Sequence, residues 1–298
     1  VAEPSIENIK KILVVGSGAM GSQIGMVCSL GGYEVALQDI DEAMLEKARK
    51  QLRSRMNRNI EKGRVSQEEV DAAFGRMTFT TDLEDAAKDA DFVIEAAVER
   101  LDIKRDIFRR LDRAAPGHAI LTTNSSTIVS SKVADATGRP DKVCNMHFFN
   151  PALVMKCVEI ARNPQTSDAT VQTTVELARR IGKEPVLLNK EVFGFIANRI
   201  LHAIRAEAIS LYENGVASFE DIDKACRTAL GHPMGPFELM DLTGIDIAYH
   251  VRMARYEESG DPKDRPEKSI VERYERGELG RKSGKGWYAY DEQGRRIS

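Results

Sequence analysis

The 298-residue sequence predicts a doubly wound, mostly parallel α/β sheet followed by an all-α C-terminal domain. Three observations predict it. Short β-rich runs alternate with helical stretches through about the first 190 residues, the pattern of successive βαβ units. A glycine-rich turn, Gly16-Ser-Gly18-Ala-Met-Gly21, joins the first such run to the first helical stretch. After Asn189 the alternation stops and the texture becomes helical. The expected domains are therefore 1–189 and 190–298, each large enough to bury a core.

In chain order, strands are expected over 11–15, 34–38, 77–81, 92–96, 119–123 and 142–147. Helices are expected over 20–30, 82–89, 103–114 and 128–136, each between two of these strands. Two further strands, 155–160 and 185–188, flank a helix over 168–181. One insertion, about 41–75, interrupts the pattern as a helical hairpin. Its first helix has apolar residues Leu45, Ala48, Leu52, Met56 and Ile60, three or four positions apart, on one face. It also carries Lys47, Arg49, Lys50, Arg53, Arg55, Arg58, Lys62 and Arg64 against Glu46 and Glu61. That charge fits either a solvated helix face or a ledge for a polyanionic ligand. A second helix begins at Ser66, with Gln67, Glu68 and Glu69 as its first turn.

In the second domain, Phe195, Ile196, Ile200, Ile204, Ala208 and Leu211 mark a helix over 192–212, stopped by Asn214-Gly215. Another runs from Ser218 to Gly231, and further helices lie around 237–257 and 267–276. Strand-like alternation returns only at 287–290. These helices carry more apolar surface than so small a domain covers alone, so a homodimer through this domain is expected.

Composition excludes several classes. There are 43 basic and 46 acidic residues, a formal charge of −3, which offers no global field for nucleic acid or anionic membrane. No apolar run reaches the roughly 18–20 residues that span a bilayer, and the opening VAEPSIENIKK has no secretory h-region. Four cysteines lie far apart, with no CxxC and only five histidines, so neither a metal site nor a disulfide framework is expected. A cytoplasmic protein is the expectation.

The glycine turn has the context of a dinucleotide-binding Rossmann-type unit, with a strand before, a helix after and Asp39 ending the next strand. Gly16 makes the tight turn, Gly18 admits a pyrophosphate, and Gly21 lets helix and strand approach. Asp39 suits two ribose hydroxyls and repels a 2′-phosphate, and Ile40-Asp41-Glu42 brings no Arg to offset it. NAD is therefore expected over NADP. Three segments read as chemistry: Thr122-Thr-Asn124-Ser125-Ser126-Thr127 after the fifth strand, Asn145-Met-His147-Phe-Phe-Asn150-Pro151 after the next, and Val154 to Glu159 beyond it. A His held by a carboxylate and beside a hydroxyl is apparatus for moving a proton during hydride transfer.

Taken together, the chain resembles the short-chain (S)-3-hydroxyacyl-CoA dehydrogenases, including their bacterial 3-hydroxybutyryl-CoA members. The resemblance spans almost the whole sequence through GSGAMG, QDID, IEAAVERLDIK, TNSST, HFFNPALVMKCVEI, GFIANRIL, GHPMGPFELMDLTGIDI and GRKSGKGWYAY. It implies that the catalytic His falls on His147, its orienting Glu on Glu159, the hydrogen-bonding Ser on Ser126 and the Asn on Asn198. Implied cofactor contacts are Gly16, Ser17, Gly18, Ala19, Met20, Gly21, Asp39, Glu99, Lys104, Ser126, Asn150 and Lys282. The family's CoA-binding Lys matches Lys62. A nearby Ser of the family is replaced by Arg55 with Ser54 beside it, and Ser126 is also placed against the thioester substrate. The family's NTSSL reads Asn124-Ser-Ser-Thr-Ile128 here, which keeps the functional Ser. The activity implied is NAD-dependent interconversion of a 3-hydroxyacyl-CoA and its 3-oxoacyl-CoA. Two other readings are a gulonate-type sugar-acid dehydrogenase, which has no need of the basic helix, and a non-catalytic dinucleotide-binding protein, which has no use for the Ser–His–Glu–Asn set.

Overall fold

A computed structural model describes residues 4–297. The chain divides into two compact units, Val1–Ile196 and Ala197–Ser298. In the first, the strands are β1 Lys11–Val15, β2 Glu34–Gln38, β3 Met77–Thr80, β4 Phe92–Glu95, β5 Ile120–Thr123, β6 Val143–Phe148, β7 Cys157–Arg162 and β8 Glu184–Leu188. They form one sheet in the order β3-β2-β1-β4-β5-β6-β7-β8. Every neighbouring pair is parallel except β6 and β7, which run antiparallel. The helices of this unit are α1 Ala19–Leu30, α2 Glu42–Glu61, α3 Gln67–Gly75, α4 Leu83–Ala87, α5 Leu101–Ala114, α6 Ser131–Ala134 and α7 Asp168–Arg180.

Successive strand residues point to opposite faces of a sheet, so a strand covered on both sides must be apolar throughout. β1 shows this directly. Ile12 and Val14 belong to the buried cluster that includes Ile24 and Cys28 of α1 and Leu177 of α7. Leu13 and Val15 face the other way, into the cluster that includes Phe108 and Leu111 of α5. Each such aliphatic burial contributes about 1.5–3 kcal/mol. The inserted hairpin forms as expected: Asp41 accepts from the Ala43 amide at 2.8 Å, and Ser66 with Glu69 makes a capping box. Leu45, Ala48, Leu52 and Met56 are the buried stripe of α2.

Two of the α2 cations do structural work, one within the hairpin and one against β3. The Arg53 guanidinium lies 3.8 Å from the Phe74 ring centroid and pairs with Asp71 at 3.0 Å. Arg49 covers Phe79 at 4.4 Å.

Several expected boundaries move, each for a local reason. The helix expected over 128–136 shrinks to α6 because residues 128 and 130 direct their amides at side chains. Ile128 N donates to Ser125 Oγ at 2.8 Å and Ser130 N to Asn145 Oδ1 at 2.7 Å. The helix expected from 192 starts only at Ala197. Gly194 and Phe195 both have positive φ (73° and 51°), and Phe195 is buried beside Ala161 and Leu188.

The second unit contains α8 Ala197–Glu213, α9 Phe219–Ala229, α10 Pro236–Thr243, α11 Ile245–Ser259 and α12 Lys268–Glu275. The stretch 237–257 is thus two helices, broken at Gly244 with φ 106°. The strand-like residues 287–290 make only isolated bridges, Lys285 with Ala289 and Tyr290 with Arg296. Side-chain acceptors take up part of that segment's backbone. Asp241 accepts from the amides of Trp287 (2.9 Å) and Tyr288 (2.8 Å) and from the Tyr290 hydroxyl (3.0 Å). Asp223 likewise accepts from the amides of Phe237 and Glu238 and from the Tyr288 hydroxyl. Burial pushes both carboxyls above their ordinary range, more than these donors pull them down. Among the described residues no helix is long and apolar enough to cross a membrane.

Candidate active site

The glycine turn sits at the carboxyl ends of β1 and β4, where strand order reverses and open α/β sheets hold ligands. Gly16 has φ 97°, and a Cβ there would lie 2.7 Å from Ala96 O. A Cβ on Gly21 would lie 1.8 Å from Gly16 O. At Gly18 a Cβ meets nothing within 4 Å, so the turn is closed toward the protein and open outward. Helix α1 begins beyond Gly18 with no side-chain cap and no acidic residue in its first turn. Its leading amides and dipole suit a pyrophosphate. These residues fit a dinucleotide.

Asp39 is aimed by Ser17, whose amide and hydroxyl donate to Oδ2 at 2.7 and 2.8 Å. Ser17 therefore positions the Asp39 carboxylate, a use of this residue not read from its sequence. Replacing Asp39 with Ala is expected to weaken NADH binding and narrow the preference over NADPH. Fluorescence titration of both cofactors checks this, and an unchanged ratio removes Asp39 from the ribose.

The antiparallel pairing of β6 and β7 sets His147 directly opposite Glu159. His147 Nδ1 lies 3.0 Å from Glu159 Oε2. Glu159 is 1% exposed, and its other oxygen accepts from the Ile196 amide at 3.0 Å. Phe149 and Phe195 lie against the imidazole, with ring centroids 4.6 and 5.4 Å away. With Nδ1 turned to the carboxylate, Nε2 is the nitrogen left to exchange a proton.

Ser126 lies on the loop after β5, half-buried, with its carbonyl accepting from Gly194 N at 3.2 Å. Its neighbours are tied down on both sides. Asn124 Oδ1 accepts from Phe148 N at 2.9 Å, joining the loop to the residue after His147. The hydroxyls of Ser125 and Thr127 both donate to Glu99. Burial works to raise the Glu99 carboxyl, but these hydroxyls and the Lys104 ammonium outweigh it and hold it below the usual range.

Lys104 is 1% exposed and turned inward, 2.7 Å from Glu95 Oε1 and 3.3 Å from Glu99 Oε2. It also donates to Ala97 O at 3.4 Å. Glu95 went unremarked in the sequence, although a carboxylate inside Phe92-Val-Ile-Glu-Ala-Ala-Val98 has to be paired if that run is buried. Asn150 is exposed just after β6, before a cis peptide bond to Pro151. On the hairpin, Ser54 and Lys62 are exposed, whereas Arg55 donates to Gln23 Oε1 at 3.1 Å. Asn198 and Lys282 belong to the second unit. Asn198 lies in the first turn of α8, and Lys282 is ion-paired with Asp246. Among the described residues no group of three or more His, Cys, Asp or Glu is placed to hold a metal ion.

A dinucleotide turn and a buried His–Glu pair at one sheet edge define the class, a dehydrogenase of Rossmann type. Comparison with known proteins agrees. Residues 11–192 match the NAD binding domain of 3-hydroxyacyl-CoA dehydrogenase, and residues 194–290 match its C-terminal domain. The chain is 38% identical to the probable 3-hydroxybutyryl-CoA dehydrogenase of Bacillus subtilis, over 96% of this chain and 99% of that protein. It is 36% identical to the human mitochondrial hydroxyacyl-coenzyme A dehydrogenase, over 95% of this chain and 91% of the relative. The crystal structure of (S)-3-hydroxybutyryl-CoA dehydrogenase PaaH1 from Ralstonia eutropha superposes with a TM-score of 0.86 at 36% identity, covering 95% of this chain and all of that one (100%). The chain belongs to the 3-hydroxyacyl-CoA dehydrogenase family, and it is an NAD-dependent oxidoreductase.

Proposed function

We propose that this enzyme interconverts a short-chain (S)-3-hydroxyacyl-CoA, 3-hydroxybutyryl-CoA foremost, and the corresponding 3-oxoacyl-CoA. The observation that carries the reading is the buried His147–Glu159 pair beside the Ser126 loop, at the same sheet edge as the glycine turn. Bound NAD supplies the hydride acceptor, or as NADH the donor. In oxidation His147 Nε2 takes the 3-hydroxyl proton while the hydride leaves C3. In reduction the protonated ring returns it to the oxygen. Glu159 holds Nδ1 and stabilises the imidazolium, while Ser126 and Asn198 are assigned to binding the reacting oxygen and the thioester. The test is NADH oxidation with acetoacetyl-CoA, longer 3-oxoacyl-CoA esters and a free 3-oxo acid. Turnover of the free acid without any CoA ester overturns the reading.

The CoA phosphates need a second cationic site, and α2 with the turn after it is the candidate. Arg49 and Arg53 are engaged with Phe79, Phe74 and Asp71, which leaves Arg58, Lys62 and Arg64 for a ligand, with Arg55 beside them bonded to Gln23 of α1. A cavity of about 550 Å³ beside them is lined by Met56, Asn59, Arg64, Leu153 and Val154. Exposed charge contacts are individually weak and screened by salt. Arg55→Glu combined with Lys62→Glu is therefore expected to raise KM for the CoA ester several-fold at low ionic strength, with KM for NADH hardly moved. Equal values for the double variant and wild type would leave the helix a solvated face.

A homodimer through the helical unit and a cytoplasmic setting complete the reading. Ile200, Leu230, Leu242 and Ile247 are 56%, 66%, 49% and 50% exposed, apolar surface of the kind a second copy covers. Sedimentation equilibrium checks the dimer.

A further inference from the structure

Glu95 ends β4 with a carboxylate that is 0% exposed and bonded to three separate pieces of the fold. Oε1 accepts from Ala97 N at 2.7 Å and from Lys104 Nζ at 2.7 Å, and Oε2 accepts from Thr123 Oγ1 at 2.7 Å. The first partner belongs to the turn after β4. That turn walls the glycine loop, since a Cβ on Gly16 would lie 2.7–2.9 Å from the backbone of Ala96 and Ala97. The third partner is the last residue of β5, which leads directly into the loop carrying Ser126. The second, Lys104, extends the network to Glu99 and so to the hydroxyls on either side of Ser126. A single buried carboxylate thus joins the wall of the dinucleotide turn to the substrate hydroxyl loop.

Charge adds to this. Two carboxylates and one ammonium leave the cluster with one net negative charge. It lies at the carboxyl ends of β4 and β5, the edge at which open α/β sheets hold ligands. Oxidised and reduced nicotinamide differ by one positive charge.

We propose that Glu95 is a positioning residue of the hydride-transfer site, holding the Ser126 loop against the glycine turn and biasing cofactor binding toward the oxidised form through its charge. The inference rests on the dehydrogenase reading above.

The test separates charge from geometry. In Glu95→Gln the amide oxygen can face Ala97 and Lys104 while the amide nitrogen donates to a rotated Thr123 hydroxyl, so the three contacts survive and the charge goes. Binding is read without turnover, NAD by calorimetry and NADH by fluorescence. The variant is expected to weaken NAD relative to NADH by about three- to tenfold, as for one unit charge acting over a partly screened distance. A second variant, Glu95→Gln with Lys104→Met, removes both buried charges and returns the cluster to one net negative charge. Its NAD-to-NADH affinity ratio should move back toward wild type, and it remains measurable if a buried Lys104 that has lost the Glu95 charge keeps the single variant from folding. A ratio unchanged in the single variant, or not restored in the double, overturns the proposal. A wild-type protein that binds neither dinucleotide overturns the function reading and this inference with it; one that binds both with no change in ratio overturns this inference alone.

Discussion

Replacement of His147 by Gln lowers kcat by about 10²–10⁴-fold, the scale of a lost general acid–base. The expectation follows from the geometry of the pair. Glu159 Oε2 holds Nδ1 at 3.0 Å, which leaves Nε2 as the atom that would exchange a proton with substrate in the proposed reaction. A Gln amide can still donate to Glu159, so the buried carboxylate keeps a partner and the strand pair keeps its register. It cannot shuttle a proton near neutral pH. The melting temperature should therefore change little, and NADH affinity should stay at the wild-type value. Steady-state rates with acetoacetyl-CoA and a fluorescence titration with NADH check both halves. A folded variant with near-normal kcat removes His147 from the chemistry.

Asp241→Ala melts the helical unit early. Its carboxylate accepts from two buried amides and one phenol, and leaving each unsatisfied costs about 1–3 kcal/mol, roughly 3–9 kcal/mol together. Two glycines give way to this residue: a Cβ on Gly286 would lie 2.0 Å from Asp241 Oδ1, and one on Gly280 would lie 2.3 Å from its carbonyl oxygen. For a unit of this size the midpoint should fall by about 15 °C or more. Asp241→Asn retains one acceptor oxygen and should lose much less. The pH dependence has a definite sign. Burial raises the folded carboxyl, so ionisation costs the folded state. The stability linked to this group is fully present below the ordinary carboxylate range and is lost as pH rises through the raised folded value. The Asn variant should show a flatter profile between those limits. Calorimetric melts of the three proteins across pH decide it, and equal midpoints for Ala and wild type would show that the tail docks without Asp241.

How much of this was legible in the sequence depended on how local the cause was. β1 and β2 were read to the residue because an apolar run bounded by turn residues has few alternatives. The dyad was legible for a related reason: HFFNP and a carboxylate twelve residues later fall on adjoining strands. Long-range partners were harder. Nothing near Arg53 in sequence announces that Asp71 and Phe74 will take it, so the basic helix read as more uniformly available than it is. Phe195 fits a helical periodicity, yet its burial beside β7 and β8 holds it in a left-handed turn instead. Gly244 looked like one glycine in a helical stretch until its φ of 106° divided that stretch in two. Glu95 offered a weak signal, a lone charge within an apolar run, whose meaning appears only once Lys104 and Thr123 are in place.

The cross-strand placement of His147 and Glu159 bears on how such an enzyme tolerates mutation over evolutionary time. The ladder between β6 and β7 sets their register, whatever the length of the segment 149–156 that connects them. Insertions and deletions in that segment leave the pair aligned, whereas losing one residue inside either strand turns one partner to the opposite face of the sheet. Leu153 and Val154, on the same segment, line the cavity beside the basic helix. Lineages can therefore lengthen or shorten that segment beyond Asn150 and remodel the cavity wall while the His–Glu alignment is inherited intact.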